Sequence, residues 1–133
     1  MSLLLQDILE YLVDNGLCGA VGTDAFMDKR PDQPDTCFTI YEYEGMAEAP
    51  YETVATHRSV QLTYRAPTAA EAKVGITKAH NLIRSSLDET GVVYFNGRFT
   101  QTSIRQTPFK LLEDSNARVV YGFNMGITTE EDS

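Results

Sequence analysis

Histidine is nearly missing from this chain: of its 133 residues only His57 and His80 are of that type. Neither lies beside a cysteine or serine in a nucleophile pattern, so a catalytic triad would have to be assembled by the fold. Cysteine is as scarce. Cys18 and Cys37 are too few to staple a domain of this size, and no other Cys or His stands at metal-ligand spacing beside them. Two small buried thiols are expected. Basic residues are outnumbered, 11 Lys and Arg against 19 Asp and Glu, leaving a net charge of -8. That balance opposes any binding that works by neutralising phosphates, so stable attachment to DNA or to an anionic membrane is disfavoured. It leaves room for a surface that DNA slides past. Long apolar runs are absent too, with nothing approaching the roughly 20 residues that a bilayer crossing needs. The apolar stretch from Met1 to Leu5 has no basic region before it and no small-residue cleavage pattern after it, which argues against a secretory signal. A soluble, intracellular, single-domain protein is expected, since one core suits about 100–150 residues.

What is present is periodicity. Leu5, Ile8, Leu9 and Leu12 recur at the spacing that forms one stripe of a helix, with Gln6, Asp7, Glu10 and Asp14 facing elsewhere. Asn15-Gly16 ends it, because a glycine accepts the positive φ of a helix C-terminus. Leu17 to Thr23 is small and apolar and predicts a short strand, whereas the Asp and Pro residues from Asp24 to Asp35 predict a loop. Thr36 to Glu44 is β-branched and aromatic, a strand with Phe38 and Ile40 on one face and Tyr41 and Tyr43 on the other. Gly45 to Ala55, interrupted by Pro50, is too irregular for an element and long for a turn, and reads as a mobile excursion.

From Ser59 to Arg65 the alternation of Val60, Leu62 and Tyr64 with Ser59, Gln61, Thr63 and Arg65 predicts a strand covered on one side. Thr68-Ala69-Ala70-Glu71 is a capping box. The helix it opens should bury Ala72, Ile76, Ala79, Ile83 and Leu87 and run to about Glu89, before Gly91. Val92 to Phe95 and Phe99 onward flank Asn96-Gly97, which suits a type I′ hairpin turn. The last strand, Arg118 to Thr128, sets Val119, Tyr121, Phe123, Met125 and Ile127 on one face and should be central, with residues 129–133 an acidic solvated tail. These elements predict an α+β fold in one domain over residues 1–133, a largely antiparallel or mixed sheet with two helices packed on one face.

The remaining chemistry reads as structural. His80 sits next to the buried stripe of its helix and is expected to be partly exposed; His57 suits an exposed strand edge. Asp28, Asp32 and Asp35 lack the spacing that converges oxygens on calcium, and turn formation explains them better. Gly16, Gly19 and Gly22 follow a helix rather than join a strand to one, so no helix N-terminus receives an anion there. Tyr41, Tyr43, Tyr64, Tyr94 and Phe99 could stack bases, but few basic residues are interleaved among them, and packing or subunit contact is the better expectation. No catalytic residue, metal or cofactor is expected.

The run Pro34-Asp35-Thr36-Cys37-Phe38-Thr39-Ile40-Tyr41-Glu42-Tyr43-Glu44-Gly45, then Ser59-Val60-Gln61 with Arg65-Ala66, then Pro108-Phe109 with Asp114 and Tyr121-Gly122-Phe123-Asn124, resembles the phage minor capsid proteins related to tail terminators. The resemblance spans nearly the whole chain and consists of packing and turn residues. It implies a sheet backed by two helices, no enzyme activity and no cofactor. It also implies subunits that form a ring, commonly of six, at the head-proximal end of the tail tube, where the ring stops tube growth and joins tail to head. The implied partners are other copies of the chain, the tail-tube protein and a head-connector protein, with DNA only in transit through the lumen and no membrane. The implied location is the virion, reached through assembly in the host cytoplasm. Closing such a ring needs one patch of each subunit to meet a different patch of the next. Gly45, Met46, Glu48, Pro50 and Tyr51 of the excursion are the expected assembly contact. Two other readings compete: a monomeric binding module that recognises a peptide or protein through Asp24 to Asp35 or the excursion, and a small enzyme using His57 or His80 in a pocket.

Overall fold

In chain order the elements are α1 (Leu4–Asp14), β1 (Ala25–Met27), β2 (Cys37–Tyr43), β3 (Ala55–Ala66), α2 (Ala69–Ser86), β4 (Val92–Phe95), β5 (Arg98–Ile104), β6 (Phe109–Glu113) and β7 (Val119–Glu130). The computed structural model describes residues 3–43 and 55–130. Among them the strands form one sheet in the order β1-β2-β3-β7-β5-β4, with β6 also beside β7. Only β1 and β2 run parallel; every other pairing is antiparallel. β7 is central, as its alternation predicts. One of its edges carries β3 along its full length, and the other is shared by β5 against Met125 to Thr129 and β6 against Val119 to Gly122.

Both helices cover one face of this sheet. Ile40, Leu62 and Phe123 lie opposite one another across three strands, and they join Leu4, Ile8, Leu9 and Leu12 of α1 and Ile76, Ala79 and Ile83 of α2 in one buried cluster. α1 ends where Asn15 caps it and Gly16 takes φ +79°. α2 begins where the Thr68 hydroxyl accepts the Glu71 N–H at 3.2 Å. α2 also comes unusually close to β3 at Gly75, where a Cβ would stand 2.2 Å from Cε2 of Tyr64. Only glycine fits there without a shift. The hairpin turn has Asn96 at φ 52° and Gly97 at φ 81°, the two positive values that a type I′ turn requires.

Several expectations are corrected. Leu17 to Thr23 forms turns rather than a strand, because the Asp24 carboxylate accepts the backbone N–H groups of Gly19 and Ala20 at 2.8–3.0 Å. The short strand falls instead at Ala25–Met27, inside the predicted loop. β3 is covered on both faces, since Ser59, Thr63 and Arg65 are as buried as Val60 and Leu62. α2 stops at Ser86 with Leu87 already extended, where the Asp88 carboxylate gathers the N–H groups of Thr90 and Val92. The strand β7 continues through Thr129 and Glu130, where a free tail was expected, because Thr129 is buried and donates to the Phe99 carbonyl at 2.9 Å. Asp7 does not face solvent, and His80 is 5% exposed. Of the excursion at Gly45 to Ala55, Ala55 opens β3 and the rest lies outside the described residues, as do 131–133.

Candidate assembly interface

The titratable groups are held in structural roles. His57, on β3, stands with Nδ1 2.8 Å from the Thr128 hydroxyl on β7. His80 is on the other side of the sheet, turned edge-on to Phe123 at 5.0 Å and 84°. Burial, reinforced by the charges of Asp24 and Glu10, pushes the Cys18 thiol up to about 11. Burial likewise raises Cys37, with Arg65 opposing. Both thiols therefore stay protonated at neutral pH and are poor nucleophiles. Asp32 and Asp35 meet Arg118 at 3.0 and 3.1 Å, and Asp114 meets the same guanidinium at 2.8 Å. Asp28 sits at φ 64° and donates its N–H to Ile40. Among the described residues no three His, Cys, Asp or Glu side chains are grouped to hold a metal ion, and no helix is long and apolar enough to cross a membrane. Of the glycines after α1, Gly19 does hold an anion together with Ala20, but it is the chain's own Asp24 carboxylate.

Arginines tie the molecule together from within. Arg98 on β5 meets Asp7 of α1 at 2.8 Å, the two side chains being 6% and 9% exposed, while Asn96 donates to the other oxygen of Asp7 at 3.2 Å. On the face opposite the helices, Arg65 donates to the carbonyls of Asp32, Pro34 and Asp35. Arg118 adds the Asp32 carbonyl. Arg30 lies over the Tyr41 ring at 5.7 Å and reaches the Thr63 hydroxyl at 3.4 Å. The segment between β1 and β2 is thereby pinned against the helix-free face of the sheet.

Past that segment the helix-free face is open and polar. Gln61 and Asn124 hydrogen-bond across β3 and β7 at 3.1 Å. Beside them a cleft of about 410 Å³ is floored by Ser59, Gly126, Ser103, Gln101 and Thr128. Arg105 lies along it: its N–H donates to Asn124 at 3.1 Å, and Nη2 donates to the Ser59 hydroxyl at 3.4 Å. Gly126 makes room for it, since a Cβ there would stand 2.8 Å from Nη2.

The exposed large apolar side chains among the described residues are Tyr43, Val74, Tyr94, Phe99 and Leu112. Tyr94 and Phe99 meet edge to face at 5.7 Å on the hairpin, 57% and 45% exposed, and Leu112 is on β6. Of the aromatic residues singled out in the sequence, these two are brought together at the surface. Tyr64 instead packs on Phe38 at 4.6 Å, and Tyr41 lies under Arg30. The expected contact residues Gly45, Met46, Glu48, Pro50 and Tyr51 lie outside the described residues. Arg105 and Leu112 were not singled out in the sequence. Gly122 and Gly126, four apart on one face of β7, were the available sign that side chains lie across that face.

Comparison with known proteins follows the fold. One solved structure is similar over 93% of this chain and 88% of that chain, with TM-score 0.51 and 10% identity, a likeness of fold alone. Meiosis-specific protein ASY1 of Arabidopsis thaliana is 27% identical over 99 residues, which is 74% of this chain and 17% of that protein. So short a share of that protein carries nothing about its role to this chain. The family model described as bacteriophage tail terminator protein matches residues 11–131, from within α1 to the end of β7, and the chain belongs to that family.

Proposed function

We propose that this phage tail protein is the subunit of a closed ring that ends polymerisation of the tail tube at its head-proximal end and joins tail to head. The observation that carries the reading is the tail terminator match over residues 11–131. The surface supports it. The sheet has open edges at β1, β4 and β6, and unpaired edge strands are templates for contact with another chain. Exposed Tyr94, Phe99 and Leu112 stand on or beside two of those edges. Different edges meeting from copy to copy make the head-to-tail contact that a ring, commonly of six, requires.

In this reading the partners are copies of the chain, the tail-tube protein and a head-connector protein. Gly45, Met46, Glu48, Pro50 and Tyr51 belong to the contact between subunits. The net charge of -8 suits a lumen through which DNA passes without being held. The ring is a virion component built in the host cytoplasm; it works by surface complementarity, without an enzymatic step or cofactor. Sedimentation velocity over a wide range of concentration tests the closure. A discrete particle at a fixed multiple of 14.8 kDa is expected. Open-ended growth, or a mass that remains at one chain both free and at tube ends, contradicts the ring.

A further inference from the structure

We propose that Leu112 of one copy of this chain seats in the groove beside α2 of a second copy, with Asp32 and Asp35 of the first copy brought against the lysines of α2. The inference rests on the ring reading and names the two surfaces of one subunit contact.

Shape and placement are the first argument. Tyr64, Ala70, Val74 and Gly75 wall a groove of about 360 Å³, completed by Glu71 and Lys78. It forms because Gly75 has no side chain, so α2 settles onto the Tyr64 ring, while Val74 is left exposed. An apolar groove open to water gains when an aliphatic side chain fills it. Leu112 is such a side chain, exposed and carried on the strand β6 rather than on a loop. Leu112 lies opposite Val120, and Tyr64 opposite Tyr121. Paired residues on neighbouring strands share a face, and successive residues of β7 point to opposite faces. Leu112 therefore stands on the helix-free face and the groove on the helix-bearing face, at the same end of the sheet. The sheet separates a chain's own Leu112 from its own groove, so the two meet between copies. One knob and one groove on opposite sides of each copy make a head-to-tail contact.

Charge is the second argument. Two copies at net charge -8 each repel, so a contact between them gains most where cations of one face carboxylates of the other. α2 carries Lys73, Lys78 and Arg84 against a single carboxylate, Glu71. All three cations are exposed, and among the described residues none of them forms an ion pair. The helix-free face beside Leu112 shows the opposite sign. Arg118, two residues from Val120 on that face, gathers Asp32, Asp35 and Asp114. The guanidiniums of Arg118 and Arg65 are buried, whereas the Asp32 and Asp35 side chains are 75% and 56% exposed. A partner approaching Leu112 therefore meets carboxylates.

The test compares full-length variants by sedimentation velocity, with thermal unfolding as a check on the fold. Leu112→Asp is expected to raise the concentration for half-assembly by about tenfold or more, and Val74→Glu to act in the same direction. Gln6→Asp, on the exposed side of α1, should leave it unaltered. Changing Lys73 and Lys78 together to Glu should weaken assembly as well. Mixing chains carrying Leu112→Cys with chains carrying Val74→Cys under mild oxidation should link two different chains, which neither variant does alone. A wild type that assembles while Leu112→Asp and Val74→Glu leave its assembly unaltered overturns the inference and leaves the ring reading standing. So does a Cys mixture that assembles without forming the mixed link. Variants that associate as before but no longer cap tail tubes also overturn it, since the groove then takes the tube protein. A wild type that neither associates nor caps tail tubes overturns the ring reading, and the inference with it.

Discussion

Asp7→Ala takes a carboxylate away from a buried arginine. The Asp7 and Arg98 side chains are 9% and 6% exposed and meet at 2.8 Å, and Asn96 donates to the second Asp7 oxygen. The pair joins α1 to the β4–β5 hairpin across 91 positions of sequence. Removing one partner of a buried pair costs about 3–5 kcal/mol, because the remaining charge stays desolvated. Against a typical stability of about 5–15 kcal/mol, that is a fifth or more. The double variant Asp7→Leu/Arg98→Met removes both charges and should be markedly more stable than Asp7→Ala, since apolar replacement of a whole buried pair is often neutral or better. Urea unfolding, followed by far-ultraviolet circular dichroism and extrapolated linearly, gives each value. A loss below about 1 kcal/mol for Asp7→Ala, in the range of ordinary surface changes, or a double variant weaker than the single one, refutes the reasoning.

Phe123→Ala should cost about 3–5 kcal/mol, since Phe123 is fully buried on the central strand and meets His80 edge-on; a shift under about 1 kcal/mol in the same assay contradicts the assigned face. Gly75→Ala should destabilise by about 1–3 kcal/mol through overpacking, because the new methyl would stand 2.2 Å from Tyr64. Adding Tyr64→Val should recover part of that loss, and no recovery would show the strain to lie elsewhere. The N–H of Val92, then the hydroxyl and N–H of Thr90, hold the Asp88 carboxyl below its usual range. A depressed folded value stabilises above the unfolded value of about 3.9 and is lost as the pH falls through the folded one. Asp88→Asn should therefore be less stable than wild type at pH 7, with the gap closing in acid; a gap independent of pH argues against that linkage.

Local signals in the sequence were those that a few neighbouring residues complete among themselves. The Leu5, Ile8, Leu9 and Leu12 stripe, the Thr68 cap, the Asn96-Gly97 turn and the alternation of β7 each need only a period or a backbone angle. Signals that depend on a distant partner were silent. Asp7 reads as solvent-facing because its partner is far along the chain, and Asp24 reads as a turn residue although it organises the segment before it. β6 hides its period because a register shift between Lys110 and Leu112 breaks the alternation. The helix-free face reads as exposed because Ser59, Thr63 and Arg65 are polar, yet Thr63 and Arg65 are buried under a segment that Arg65 and Arg118 hold down, and Ser59 under Arg105. The open cleft was not legible at all: it depends on Arg105 lying over Gly126, a contact between β7 and the end of β5. Exposed Tyr94 and Phe99 were legible as aromatics but not as a surface pair, since alternation does not say which face water reaches.

Tail-tube growth in the presence of this chain tests the account most directly. Purified tube protein would be polymerised with and without the labelled chain, and tube lengths and end labels counted by electron microscopy. The account predicts label at one end only, in a ring of fixed copy number, with growth arrested at that end. Tubes that lengthen at the same rate with the chain absent from both ends, or bound along their sides, would contradict it.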